Sequence, residues 1–170
     1  RLHERRVVPA AQEAIDAVRQ LSEAMHPSLL DHLGLVQAVN RQLDSFAARH
    51  GIACSIDATA SPLPISHAQG IAAYRIVQEA LTNIRKHAQA KNVWIDLAGT
   101  PEHFTLAIRD DGLGFDTSKV TEIYEQRGSF GLLNMQERAA VIGGSLHIES
   151  QPGRGTTVRL AVDGEGGPAS

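Results

Sequence analysis

The stretch SHAQGIAAYRIVQEALTNIRKHAQAKNVWIDLAGTPEHFTLAIRDDGLGFD, residues 66–116, decides how this chain folds. It opens on Ser66, whose hydroxyl can accept from the free N–H groups at a helix start. A 3.6-residue pattern then runs to about residue 88. With Glu79 at zero, Tyr74, Val77, Leu81, Ile84 and Ala88 fall at roughly 140–220° and form an apolar stripe. Arg75, Asn83, Lys86 and His87 gather within roughly 80° of Glu79 on the other side. The period then changes. Val93, Ile95 and Leu97 alternate, and so do Phe104, Leu106 and Ile108, so a long helix is followed by strands with one buried face. The stretch ends on Asp110-Asp111-Gly112-Leu113-Gly114-Phe115-Asp116, directly after a strand.

Upstream of this stretch, residues 35–50 read as a helix closed by Gly51. Ile52, Cys54 and Ile56 alternate as a strand that Pro62 and Pro64 break. Residues 1–27 read as a helical end-piece. Pro9 suits a first turn, and Ala11, Ala14, Val18, Leu21 and Met25 form an a/d seam that stops at His26-Pro27. Downstream lie Gly128-Ser129-Phe130-Gly131-Leu132 and a helix over about 132–142. Two alternating segments, Leu146/Ile148 and Val158/Leu160/Val162, then flank the turn Pro152-Gly153-Arg154-Gly155. The polar segment 117–127 reads as a lid, and 164–170 as a disordered tail. There is no internal repeat. The pattern predicts an α/β sandwich over 28–163, with helices on one face of a mixed sheet.

Composition bounds the function. Hydrophobic residues are 42% and charged residues 21%, the balance of a globular domain rather than a disordered chain. A net charge of −3 excludes a broad basic surface, so nucleic acid and acidic membranes are not expected partners. The single cysteine, Cys54, cannot pair within the chain, and no Cys/His group has zinc-ligand spacing. No apolar run is long enough to span a bilayer and no signal peptide opens the sequence, so a cytoplasmic location is expected.

The polar stripe suits a nucleotide triphosphate. The Asn83 oxygen can ligate Mg²⁺, which takes few protein oxygens beside phosphate and water. Lys86 and His87 can donate to phosphates, and Glu79 can orient a water or a hydroxyl. An aspartate such as Asp110, next to a Gly112-x-Gly114 turn, can accept from an exocyclic amine such as that of adenine while glycine lets the backbone approach closely. Gly128 and Gly131 before a helix make a phosphate site, with Leu132 in its first turn. Each element alone has an ordinary counterpart: a solvated helix face, an acidic turn, a flexible linker.

Their order is more specific. A helix with E-x-x-x-N, one hairpin, D-x-G-x-G, a lid, a second glycine box, a helix and Gly155-Thr156 follow one another as in the Bergerat-type ATP-binding fold. Histidine kinases, DNA gyrase, the mismatch-repair ATPases and a heat-shock chaperone share that fold. VQEALTNIRKHAQA (77–90), IRDDGLGFD (108–116), GSFGLLNMQERAAVIGGSLHIES (128–150) and PGRGTTVRL (152–160) resemble the nitrate-sensor-like class of bacterial sensor histidine kinases. LSEAMHPSLLDHLGLVQAV (21–39) is similar to that class's connector from the dimerisation helices. The resemblance covers about residues 9–162.

It implies a Mg²⁺-binding role for Asn83, with Glu79 the acid one turn earlier. It puts Lys86 and His87 facing the nucleotide and Asp110 reading adenine. Gly112 and Gly114 match the first glycine box, Gly128 and Gly131 the second, and Thr156 the threonine near the adenine pocket. The implied reaction transfers the ATP γ-phosphate to a histidine, then to a response-regulator aspartate, in a dimer held by a helical hairpin. Residues 1–27 would be the end of that hairpin. His3 lies too close to Pro9 and lacks the expected glutamine, Val8 standing in its place; His26 sits in the connector. The acceptor histidine is therefore expected upstream of Arg1, which would leave the fragment unable to phosphorylate itself. Competing readings are an ATP-binding regulatory module without turnover and an anti-sigma-factor-type serine kinase. Intact boxes argue against the first, and the hairpin remnant against the second.

Overall fold

A computed structural model describes residues 28–119 and 131–163. The seam over 9–25, His3, His26, most of the expected lid with Gly128, and the tail lie outside the described residues. The elements run α1 (Ser28–His50), β1 (Ala53–Ala58), α2 (His67–Asn83), a π-helical turn (Ile84–Ala88), β2 (Asn92–Gly99), β3 (His103–Asp110), a short 3₁₀ turn (Thr117–Lys119), α3 (Gly131–Val141), β4 (Gly144–Ser150) and β5 (Thr156–Asp163). Helix α1 is broken at Gly34, whose φ of 75° leaves the helical region, so the predicted helix from residue 35 is its second segment. Ser66 caps α2 as expected: its hydroxyl accepts from Gln69 N at 3.2 Å, and the Gln69 side chain accepts from Ser66 N at 2.8 Å.

The five strands lie in the order β1-β2-β3-β5-β4. β1 and β2 are parallel, as the crossover through α2 requires; the other pairs are antiparallel. In register, Ile95 faces Ile108, Ile108 faces Val158, and Val158 faces Ile148, so one row of apolar side chains crosses four strands. α1 packs on α2 and β1, α2 on α3 and β3, and α3 on β4. The three described α-helices therefore cover the same face. The centre of that layer is closed: Phe104, Leu106, Leu97 and Leu160 are each 1% exposed, under Ile76, Val77 and Met135 at 0%. At the edges Cys54, Ile56, Leu146 and Ile148 are only partly covered. On the open face Arg109 lies over the Trp94 ring at 4.5 Å, the pair being direct cross-strand neighbours. This is the predicted two-layer sandwich.

Candidate functional site

The cavity opens where α2 ends, between the π-helical turn and the carboxyl ends of β3 and the β4–β5 hairpin. Its volume is about 200 Å³. Ile84, Ala88, Ile108, Leu113, Leu132 and Val158 supply apolar walls; Asn83, His87, Asp110 and Thr156 are the polar side chains on it. Two features of α2 place its share. Its apolar stripe is wider than predicted, since Ala73, Ile76 and Ala80 are buried beside Val77 and Leu81. Its last turn is π rather than α and closes on Gln89 at φ 51°. That widened turn changes the angular spacing of residues 84–88, so the wheel drawn for a straight α-helix no longer holds there. His87 and Lys86 are both exposed, but only His87 lines the cavity.

The first glycine box is a loop held from three sides. Leu113 N donates to Ala88 O at 2.7 Å, and Gly153 N donates to Leu113 O at 2.6 Å. Asp111 turns away from the cavity and accepts from Lys91 N and Asn92 N, both at 2.8 Å, and from Asn92 Nδ2 at 2.7 Å. Those bonds, the Asn92 side chain first, hold its carboxyl below the ordinary carboxylate value. A side chain at Gly112 would run into the Ala88 backbone oxygen. At Gly114, whose φ is 63°, one would strike the carbonyl oxygen of Gln151. Backbone therefore packs on backbone at both glycines. Gly114 borders the cavity; Gly112 stands behind its wall.

Asp110 is the buried acid of the site, 5% exposed. Its Oδ1 accepts from Gly112 N at 2.8 Å, and the Thr156 N–H also donates to the carboxyl. Burial nevertheless dominates and pushes the acid above its ordinary value, with Asp111 adding to the rise and the two N–H groups opposing it. Among the described residues no buried side-chain nitrogen or oxygen lacks a hydrogen-bond partner.

At the other end, α3 begins against α2. A side chain at Gly131 would collide with Glu79 Oε1 and come within 3.4 Å of Asn83 Oδ1. The start of α3 thus lies beside both oxygens. One amide and one carboxylate oxygen together fit the sparse protein ligation of Mg²⁺, which leaves room for phosphate and water. Among the described residues no group of three or more His, Cys, Asp or Glu could form an all-protein metal cage.

Of the expected site residues, the structure brings Asn83, His87, Asp110, Gly114, Leu132 and Thr156 around one cavity; Gly112 packs on its lining residue Ala88, and Gly131 on Glu79 and the lining residue Asn83. Gly128 lies outside the described residues. Sequence reading missed Ser150. This residue is 9% exposed, and its hydroxyl touches Phe115 N at 2.9 Å, Gly155 O at 3.0 Å and Thr156 Oγ1 at 2.8 Å. A serine just ahead of the Pro-Gly-x-Gly-Thr turn was the available signal. Ile84 and Ala88, assigned to the core alone, also line the cavity, because it opens directly from that core.

A mixed sheet covered on one face, with a cavity formed by a helix end, an Asp-Gly loop and a Gly-Thr hairpin, defines an ATP-binding α/β sandwich. Residues 68–165 match the histidine kinase-, DNA gyrase B- and HSP90-like ATPase family, and the chain belongs to it. ATP is the ligand this membership implies. Among curated proteins, the chain is 36% identical over 148 residues to an uncharacterized sensor-like histidine kinase of Chloroflexus aurantiacus, covering 85% of this chain and 25% of that protein. It is 32% identical over 151 residues to the signal transduction histidine-protein kinase/phosphatase DegS of Brevibacillus brevis (89% and 38%). It is 37% identical over 153 residues to the sensor histidine kinase MctS of Rhizobium johnstonii (90% and 32%). The chain thus spans a quarter to about two-fifths of the length of these relatives.

Two solved structures share the fold. The histidine kinase domain of the Erythrobacter litoralis EL346 blue-light activated kinase superposes with a TM-score of 0.63 at 18% identity, covering 84% of this chain and 74% of that one. Histidine kinase AdeS of Acinetobacter baumannii gives 0.65 at 13% identity, covering 94% and 84%. No helix among the described residues is long and apolar enough to cross a membrane.

Proposed function

We propose that this chain is the ATP-binding catalytic unit of a sensor histidine kinase, which passes the ATP γ-phosphate to a histidine of a dimerisation hairpin for relay to a response regulator. The observation that carries this reading is one cavity lined both by a buried acceptor, Asp110, and by Asn83, which stands beside the start of α3. The kinases named above support the sensor histidine kinase assignment; the nitrate-sensor-like class rests on the sequence wording of the four boxes. Asp110 and Thr156 hold the amine edge of adenine, and the apolar walls exclude water from its faces. Asn83 and Glu79 hold Mg²⁺, which when bound neutralises phosphate charge. The α3 N-terminus, with Gly128, Gly131 and Leu132, receives the phosphates, and His87 donates to them from the π-helical turn. Catalysis on this scheme is positioning and charge stabilisation, with the nucleophile supplied by the dimerisation hairpin.

Titration with a non-hydrolysable ATP analogue, with and without Mg²⁺, tests the proposal on the wild-type chain and on Asn83→Ala. The wild type should bind more tightly with Mg²⁺, and Asn83→Ala should lose most of that gain while keeping its metal-free affinity. Equal loss in both conditions removes Asn83 as the metal ligand; no binding by the wild type removes the catalytic reading altogether.

A further inference from the structure

The direction of each hydrogen bond around Ser150 follows from counting protons. A serine hydroxyl has one hydrogen and two lone pairs. Phe115 N–H is a donor and takes one lone pair, at 2.9 Å. The Gly155 carbonyl has no hydrogen and takes the Ser150 proton, at 3.0 Å. The contact to Thr156 Oγ1, at 2.8 Å, must then use the remaining lone pair, so Thr156 is the donor. The only hydroxyl hydrogen of Thr156 is therefore turned toward Ser150, leaving lone pairs for the cavity that Thr156 lines. Asp110, on the same wall, is an acceptor as well. The neighbouring loop adds few donors: the N–H groups of Gly112, Leu113 and Phe115 are engaged by Asp110, Ala88 O and Ser150.

We infer that Ser150 is a positioning residue that sets base specificity: it locks Thr156 as an acceptor beside Asp110, so that the site selects a purine carrying a 6-amino group over one carrying a 6-oxo group. At position 6 an exocyclic amine has two hydrogens to offer two acceptors, whereas a 6-oxo purine places an oxygen there, facing lone pairs, and its single neighbouring donor, N1–H, can meet only one of them. Ser150 is absent from the cavity lining and acts only through Thr156 and the two loops it ties together. The inference rests on the nucleotide reading proposed above.

Calorimetric titration with ADP and with IDP, both with Mg²⁺, separates the two. Wild-type chain should prefer ADP. In Ser150→Ala the Thr156 hydroxyl is free to rotate and donate, and the ADP/IDP preference should fall about three- to tenfold, the worth of one neutral hydrogen bond. Ser150→Thr, which keeps the hydroxyl, should retain the preference. Thr156→Val should weaken ADP and leave IDP unchanged or tighter, and adding Ser150→Ala to it should not lower the preference further. A Ser150→Ala chain that binds both diphosphates more weakly by the same factor overturns the inference, leaving Ser150 a loop tie. Should Ser150→Ala fail to give a cooperative thermal melt, Thr156→Val decides alone: IDP weakened as much as ADP overturns the acceptor-only wall. Wild-type chain that binds ADP and IDP equally also overturns it, and wild-type chain that binds neither overturns the nucleotide reading and the role of Ser150 with it.

Discussion

Replacing Asp110 by asparagine should move stability and affinity in opposite directions. The carboxyl is 5% exposed and accepts from Gly112 N at 2.8 Å and from Thr156 N. Burial raises its pKa, which means the folded site favours a neutral side chain. An amide supplies that neutrality. With its oxygen toward Gly112 N–H, the substituted amide keeps that bond, so the ligand-free fold should gain stability at neutral pH. The same orientation sets a donor against the adenine amine. Reversing it would set the NH₂ against Gly112 N–H. Either way a charge-assisted bond is lost, costing about 1.5–3 kcal/mol, or about ten- to hundredfold in ADP affinity.

The pH dependence has a definite sign. A raised folded-state pKa contributes stability that is fully present below the unfolded value, 3.8, and lost as pH rises through the folded one. The stability advantage of Asp110→Asn should therefore be largest near neutrality and vanish on acidification. Urea denaturation across that range and calorimetry with ADP read the two effects separately. Unchanged ADP affinity would refute the adenine role of Asp110; a variant less stable than wild type at neutral pH would refute the argument from burial.

Three further outcomes are expected. Gly131→Ala should fold normally, within about 0.5 kcal/mol of wild type by thermal melt, because its methyl displaces only the flexible end of Glu79. It should nonetheless weaken Mg²⁺-dependent binding of an ATP analogue about tenfold, and intact Mg²⁺ dependence would detach Glu79 from the metal. Asp111→Asn should destabilise by about 1 kcal/mol at neutral pH in urea titrations, since that carboxylate accepts from Lys91 N, Asn92 N and Asn92 Nδ2. Its depressed pKa means the stabilisation is present above 3.8 and lost as pH falls through the folded value, so the gap to wild type should close in acid. Ser66→Ala removes the hydroxyl that accepts from Gln69 N in the α2 capping box and should cost about 1 kcal/mol, lowering Tm by about 4 °C; an unchanged melt would show that α2 does not need its cap.

The amino-acid sequence by itself determined most of the elements and named most of the polar residues that meet at the cavity. Period-2 and period-3.6 patterns are local properties, so the strands holding Val93, Phe104 and Val158, the cap at Ser66 and the helix after Gly131 were legible without coordinates. So were Asp110, Gly112 and Gly114, because an acid beside two glycines is a local statement about backbone and charge.

Tertiary structure decided what depends on distant segments meeting. On the π-helical turn His87 lines the cavity and its neighbour Lys86 does not. The approach of α3 makes Gly131 a neighbour of Glu79, which lies far earlier in the chain, on α2. Asp110 and Asp111 look alike in sequence, yet one is buried against the hairpin and the other is an exposed brace for the start of β2. The direction of the Thr156 hydroxyl exists only once Ser150, Phe115 and Gly155 stand around one oxygen, and no local pattern encodes a shared proton.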